Sequence, residues 1–210
     1  MAHDPLVLRR AREHLKRVDP VMARIVRAVG PCRMEKESGG TAFASLAEAM
    51  LYQQITGKAA ATIHRRLCAL FGRAHPRPED ILGASDEALR AAGLSRQKIR
   101  YLRDLSEKTR DGLALHRVGR MSDEEAIETL TAVKGIGRWT AEIFLMFRLG
   151  RLDVLPVNDY GIQKAMQRAY RMRSLPKPKR MLRIAEAWRP YRTVACWYLW
   201  KSIDGAAGFE

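Results

Sequence analysis

A chain of 210 residues, 47% hydrophobic and 29% charged, is long enough for one substantial core or two small lobes. Its 38 Lys and Arg against 23 Asp and Glu give a net charge of +15, spread along the chain, so a polyanion is the leading partner class and a solvated basic surface the alternative. No apolar run approaches the roughly 20 residues of a membrane span, and the three cysteines, Cys32, Cys68 and Cys196, lie far apart with no C-x-x-C pair, which argues against a zinc or iron–sulfur site. The expectation is a cytoplasmic protein without membrane contact, its thiols reduced and buried.

In chain order, Leu6 to Val29 carries a helical pattern interrupted at Asp19-Pro20, with the proline acceptable in the first turn of a second helix. Pro31 and Gly39-Gly40 mark a loop. Apolar positions 46, 47, 50 and 51 after Phe43 predict a helix, Gly57 a break, and Ala60, Ile63, Leu67 and Leu70 another helix that Pro76 and Pro78 close. Ser85 caps a short helix ending at Gly93, Ser95 starts one carrying Ile99, Leu102 and Leu105, and Ser122 with Glu125 forms a capping box. Helices at Gly161–Tyr170 and Met181–Trp188 flank a basic, proline-rich loop at 175–180, either a linker or a phosphate contact, and Tyr191–Lys201 is the last helix. Period-two alternation is absent, so the predicted fold is all-α.

The chemistry concentrates between Leu130 and Tyr160. Apolar residues at helical spacing stand before Gly135 and Gly137 (Ala126, Ile127, Leu130) and after them (Ala141, Ile143, Phe144, Phe147), which places the glycines in a tight turn between two helices. Such a turn exposes the free N–H groups and positive end of the second helix, and glycine lets a phosphate approach the backbone. Twenty residues on comes Leu-Pro-Val-Asn-Asp-Tyr, whose Asp159 reads either as a helix N-cap, alone or with Asn158, or as a reactive carboxylate.

Three motifs in this order, Leu-Tyr-Gln-Gln-Ile-Thr-Gly-Lys-Ala-Ala at 51–60, Lys-Gly-Ile-Gly-Arg-Trp-Thr-Ala at 134–141 and Leu-Pro-Val-Asn-Asp-Tyr at 155–160, resemble the helix-hairpin-helix (HhH-GPD) DNA glycosylases, in particular the 3-methyladenine DNA glycosylase II branch. Trp-Arg-Pro-Tyr-Arg-Thr at 188–193 is similar to the same branch, so the resemblance covers about residues 40 to 202. It implies a two-lobed helical fold with a DNA-facing cleft between the lobes: residues 1–40 packing with the C-terminal lobe, 41–150 a central lobe with the hairpin at about 126–148, and 151–210 completing the second lobe. It implies a target base flipped from duplex DNA, with Asp159 catalytic and Gln54, or its neighbour Ile55, inserted into the gap.

The resemblance further implies that the hairpin, with Gly135, Gly137 and Thr140 as N–H donors beside Lys134 and Arg138, grips a phosphate, and that carbonyls of Thr131, Val133 and Ile136 hold Na+ or K+. Trp139 and Trp200 match aromatic positions of the base pocket, where an indole face suits a cationic base by about 1 to 3 kcal/mol; core packing is the alternative for each. Ile143 and Lys201 stand where the branch often has aromatics. Lys58, Lys164 and Arg168 are further candidates for phosphate contact, while Trp188 and Trp197 are assigned to the core.

Breaking the bond from base to deoxyribose builds positive charge on the sugar, which one buried carboxylate can stabilise while orienting water. Ordinary glycoside hydrolysis needs a second, acidic carboxyl for the leaving group; a base already cationic from alkylation does not. Bifunctional relatives carry a nucleophilic lysine two positions after the second hairpin glycine, and here that position is Trp139. The expected activity is therefore monofunctional release of alkylated purines from damaged double-stranded DNA, leaving an abasic site, and the resemblance implies 3-methyladenine and 7-methylguanine as the substrates. Other lesions (ethenoadenine, hypoxanthine, 1-methyladenine, 3-methylcytosine) and a noncatalytic DNA-binding module remain as alternatives. No iron–sulfur cluster is expected, and a monomer associated with a bacterial-type nucleoid is.

Overall fold

The structure, a computed structural model, describes residues 3–37 and 39–204. Among these residues the chain forms twelve α-helices: α1 (Pro5–Val18), α2 (Pro20–Val29), α3 (Ala42–Tyr52), α4 (Gly57–Leu70), α5 (Pro78–Gly83), α6 (Asp86–Ala91), α7 (Arg96–Arg110), α8 (Asp123–Thr131), α9 (Arg138–Ile143), α10 (Tyr160–Ala169), α11 (Pro178–Ala185) and α12 (Arg192–Ile203). Short 3-10 turns occupy Leu115–Arg120 and Glu186–Trp188, and α9 runs on into a π turn at Phe144–Arg148. Apart from one bridge residue at Glu35 no strand forms among the described residues, and the fold is all-α. No helix among them is long and apolar enough to cross a membrane.

The capping chemistry behaves as the sequence predicts: side chains of Ser85, Ser95 and Ser122 accept N–H groups at the starts of α6, α7 and α8, and Asp19 does the same for α2. Proline is where the expectation fails. Pro78 opens α5 and Pro178 opens α11, each in the first turn, where its missing N–H costs nothing, so Pro78 starts a helix as well as ending the segment before it. Gly57 also begins a helix instead of breaking one; the interruption is the preceding segment Gln53–Thr56, and Thr56 caps α4.

The chain divides into two compact units, Ser38–Phe144 and a second made of Met1–Glu37 with Leu145–Glu210. In the first, α7 lies against α3, α5 and α6, and its buried Ile99, Leu102 and Leu105 recur at helical spacing; full burial of each such side chain is worth about 1.5 to 3 kcal/mol. In the second, α12 packs against α1, α2 and α10 and is apolar on every side, burying Val194, Ala195, Cys196, Tyr198 and Leu199. Trp188 is fully buried there, and its Nε1 donates to Asp19 Oδ2 at 2.9 Å, with Tyr170 Oη donating to the same oxygen. Trp197 is half-buried and meets Tyr198 edge-on. Of the cysteines only Cys196 is buried; Cys32 and Cys68 are half-buried, which narrows the expectation, and burial pushes the Cys32 thiol up to about 11.

Candidate active site

In the second unit the segment leading to Asp159 is fastened to the start of α12. Asp153 takes hydrogen bonds from Arg189 and Arg192, while Thr193 Oγ1 donates to the Arg151 carbonyl and accepts the Val154 N–H at 3.0 Å. The 188–193 motif therefore acts as an anchor for the approach to Asp159, a role that the sequence did not disclose. Closer in, Asp159 N–H donates to the Pro156 carbonyl and Gln163 Nε2 to that of Val157, at 2.9 Å each.

Asp159 is buried and caps α10: its Oδ1 accepts the Ile162 N–H at 2.7 Å and Trp200 Nε1–H at 3.0 Å. The two readings of this residue are thus compatible. The capping bond and the indole bond together fix the carboxylate's orientation at the positive end of a helix. Trp200 is half-buried, and its ring lies 6.0 Å from that of Phe147, so an aromatic pair stands beside the carboxylate. Phe147 entered the sequence pattern only as a core position; nothing local ties it to Trp200.

Gly161 makes room for this arrangement. A Cβ there would lie 3.1 Å from Asp159 Oδ1 and 3.2 Å from Trp200 Nε1. Gly161→Ala is therefore expected to push the indole off the carboxylate, lowering the rate of any Asp159-dependent reaction about tenfold, the worth of one hydrogen bond of charge-assisted strength. Thermal melting within a few degrees of wild type, with Trp fluorescence altered, is the accompanying signature; an unchanged rate would show that the indole contact is dispensable.

Four carboxylates are buried among the described residues, and their partners separate them. Asp19 is held by Trp188 and Tyr170, Asp104 by Lys108 and the Lys134 N–H, and Glu142 by Arg138. Asp19 and Asp104 tie separate segments together, and Glu142 holds Arg138 within α9. Asp19, like Asp159, caps a helix and receives an indole N–H, so what sets Asp159 apart is its place in the Leu-Pro-Val-Asn-Asp-Tyr motif.

The hairpin belongs to the first unit and its two glycines differ. Gly135 has φ +86°, and a Cβ on it would fall 2.3 Å from the Tyr101 ring, so the protein itself forbids a side chain there. Gly137 has an ordinary φ of −88°, precedes α9, and has open space where a Cβ would go. What its bareness provides is access to the N–H groups behind it. Thr140 sits half-buried in the first turn of α9, and the Lys134 side chain is 76% exposed with its Nζ 3.4 Å from Asp104.

Arg138 differs from its expected place at a phosphate. Glu124 grips its guanidinium in a fork at 2.6 and 2.9 Å, and Glu142 accepts Nε at 3.0 Å; hydrogen bonding to Glu124 holds it firmly protonated. Two carboxylates already neutralise it, so it braces α8 against α9. Glu142, four residues on, was legible as an i,i+4 partner; Glu124 was not. Trp139 is 45% exposed and Ile143 half-buried one turn further on the same helix, which removes core packing as the account of Trp139. Gln54 and Ile55 are both exposed between α3 and α4, Gln54 with φ +59°.

Residues 47–190 match the HhH-GPD superfamily base excision DNA repair protein family. The chain belongs to that superfamily. It is 38% identical over 202 residues to DNA-3-methyladenine glycosylase 1 of Schizosaccharomyces pombe, covering 93% of this chain and 87% of that one. The S. pombe 3-methyladenine DNA glycosylase in complex with abasic DNA superposes with a TM-score of 0.78 at 37% identity, over 92% and 96% of the two chains. A DNA-3-methyladenine glycosidase of Bacillus halodurans gives 0.81 at 38% identity, over 91% and 88%. The bare Gly137 turn and the buried Asp159 fall on two of the three motifs that carry the resemblance.

Proposed function

We propose that this chain is a monofunctional DNA glycosylase that hydrolyses the N-glycosidic bond of alkylated purines, 3-methyladenine and 7-methylguanine, in duplex DNA. The observation that carries this reading is Asp159: a buried carboxylate, oriented by Trp200 Nε1 and the start of α10, in a chain of the base excision repair superfamily. As the C1′–N bond breaks, its electron pair leaves with the base and positive charge spreads over C1′ and the ring oxygen. Asp159 opposes that charge and takes a proton from the water whose hydroxyl adds to C1′. The base departs without a general acid because alkylation has already made it electron-poor, which suits a chain whose other buried carboxylates, among the described residues, have scaffold partners.

Two side chains support the reading that no lyase step follows. Trp139 offers an indole where bifunctional relatives have an amine, and Lys134 has its backbone N–H on Asp104 Oδ2 and its ammonium beside Oδ1. Both supports favour a product with an intact backbone. The same reading extends to a monovalent cation at the hairpin: Thr131 ends α8, so its carbonyl stands at the negative end of a helix, and Val133 and Ile136 follow in the turn before α9.

A panel of duplexes bearing 3-methyladenine, 7-methylguanine, ethenoadenine, hypoxanthine or 1-methyladenine tests the reading. Free alkylpurine should appear while the strand stays whole until treated with alkali, and borohydride should trap no adduct. Release of only the other lesions would redirect the substrate, and release of none would leave a DNA-binding module.

A further inference from the structure

Helix α7 carries, on one face, residues that hold two segments far apart in sequence, both in the first unit. At one end of this face Lys98 Nζ donates to the carbonyls of Met50, Leu51 and Gln53 at 2.8, 2.6 and 2.9 Å. An ammonium at the negative end of α3 satisfies carbonyls that the helix leaves open and fixes where the chain departs. One turn on, the Tyr101 ring fills the space that a side chain on Gly135 would need. Another turn on, Asp104 Oδ2 accepts the Lys134 N–H at 2.8 Å, and Lys108 steadies that carboxylate through both oxygens. The spacing 98, 101, 104 and 108 is that of a single helical stripe.

A direct tie closes the arrangement. Gln53 Nε2 donates to the Gly135 carbonyl at 3.0 Å, across 82 positions of sequence, while the Gln53 carbonyl is held by Lys98. The next residue, Gln54, has the left-handed φ of +59° and is exposed, as is Ile55. A non-glycine residue in that conformation persists where its neighbours dictate the path of the chain. Here the neighbour is anchored through both its backbone and its side chain.

We infer that Gln53 is a positioning residue for base flipping: it locks the exposed Gln54–Ile55 tip to the phosphate-gripping hairpin, so that tip and hairpin move on DNA as one rigid piece. This rests on the glycosylase reading and names a residue that acts through others. A phosphate held at Gly137 then fixes the distance at which the tip meets the base stack. Loosening the tie leaves the chemistry at Asp159 untouched and weakens the step that extrudes the nucleotide, whose unstacking the inserted side chain must offset.

The test compares single-turnover release of 7-methylguanine from a paired duplex with release from the same lesion placed in an unpaired bulge, for wild type, Gln53→Met, Gln54→Ala and the double variant. Gln53→Met keeps the size of the side chain and deletes the donor. The expected result is about a tenfold loss on the paired target, from one hydrogen bond, little loss on the bulge, and no further loss when Gln53→Met is added to Gln54→Ala. The rise of 2-aminopurine fluorescence beside the lesion should slow in parallel. Equal losses on paired and bulged targets, or additive losses in the double variant, overturn the inference, since a generally structural role predicts both. If Gln53→Met lowers the melting temperature by more than a few degrees, Gln53→Asn, too short by one methylene to reach Gly135, carries the same comparison. Wild type inactive on every target defeats the glycosylase reading itself; wild type active with a normal Gln53→Met defeats only the coupling.

Discussion

Asp159→Asn is expected to lose about 10²- to 10³-fold or more in single-turnover base release, the scale on which one oriented electrostatic group counts, while folding and binding abasic duplex DNA as the wild type does. The dissociation follows from the two duties of the side chain. As a cap, Oδ1 accepts the Ile162 N–H at 2.7 Å, and asparagine caps helices as well as aspartate, so α10 should begin in the same place. Trp200 Nε1 can still donate to the amide oxygen, so the aromatic pair with Phe147 stays put. Only the negative charge is lost, and with it the opposition to positive charge on the sugar.

Asp159→Ala separates the duties further. It removes the cap as well, so it should cost about 1 kcal/mol of stability in addition to the rate. Base release by chromatography, binding by fluorescence anisotropy and unfolding by thermal melting read the three quantities independently. Excision by Asp159→Asn within a few-fold of wild type would leave capping as the residue's whole role.

Much of this was legible in the sequence because its causes are local. A capping serine, a pair of glycines between two apolar stripes and an aspartate before a helix each act within four residues, and the structure places all of them as read. Contacts that shape the site are the opposite case. Trp200 meets Asp159 across 41 positions, Gln53 meets Gly135 across 82, and Asp104 reaches Lys134 across 30. No spacing rule selects these partners, because they depend on which helix faces pack together. Arg138 shows how such contacts redirect a reading: a cation beside a phosphate-binding turn looks available until Glu124, 14 positions away, takes its fork. Phe147 and Gly161 were in plain view but lacked a meaning until Trp200 was placed beside them.

The paired variants Gly135→Ala and Gly137→Ala should fail in opposite ways, because the two glycines are bare for different reasons. At Gly135 a methyl group would enter the Tyr101 ring at 2.3 Å on a backbone with φ +86°. Left-handed strain of about 1 to 2 kcal/mol and overpacking of about 1 to 3 kcal/mol together predict a loss of about 2 to 5 kcal/mol in unfolding free energy. Weakened DNA binding then follows from a displaced hairpin. At Gly137 φ is −88° and nothing in the protein lies within 4 Å of the added methyl, so stability should stay within about 1 kcal/mol of wild type. The same methyl stands where a phosphate must approach the N–H groups at the start of α9, and losing a charge-assisted hydrogen bond there weakens binding about ten- to a hundredfold. Denaturant titration and anisotropy on abasic duplex DNA should place one variant low in stability and the other low in affinity alone. If Gly137→Ala binds normally, the hairpin is a structural corner, and the phosphate grip must be sought elsewhere on this basic surface.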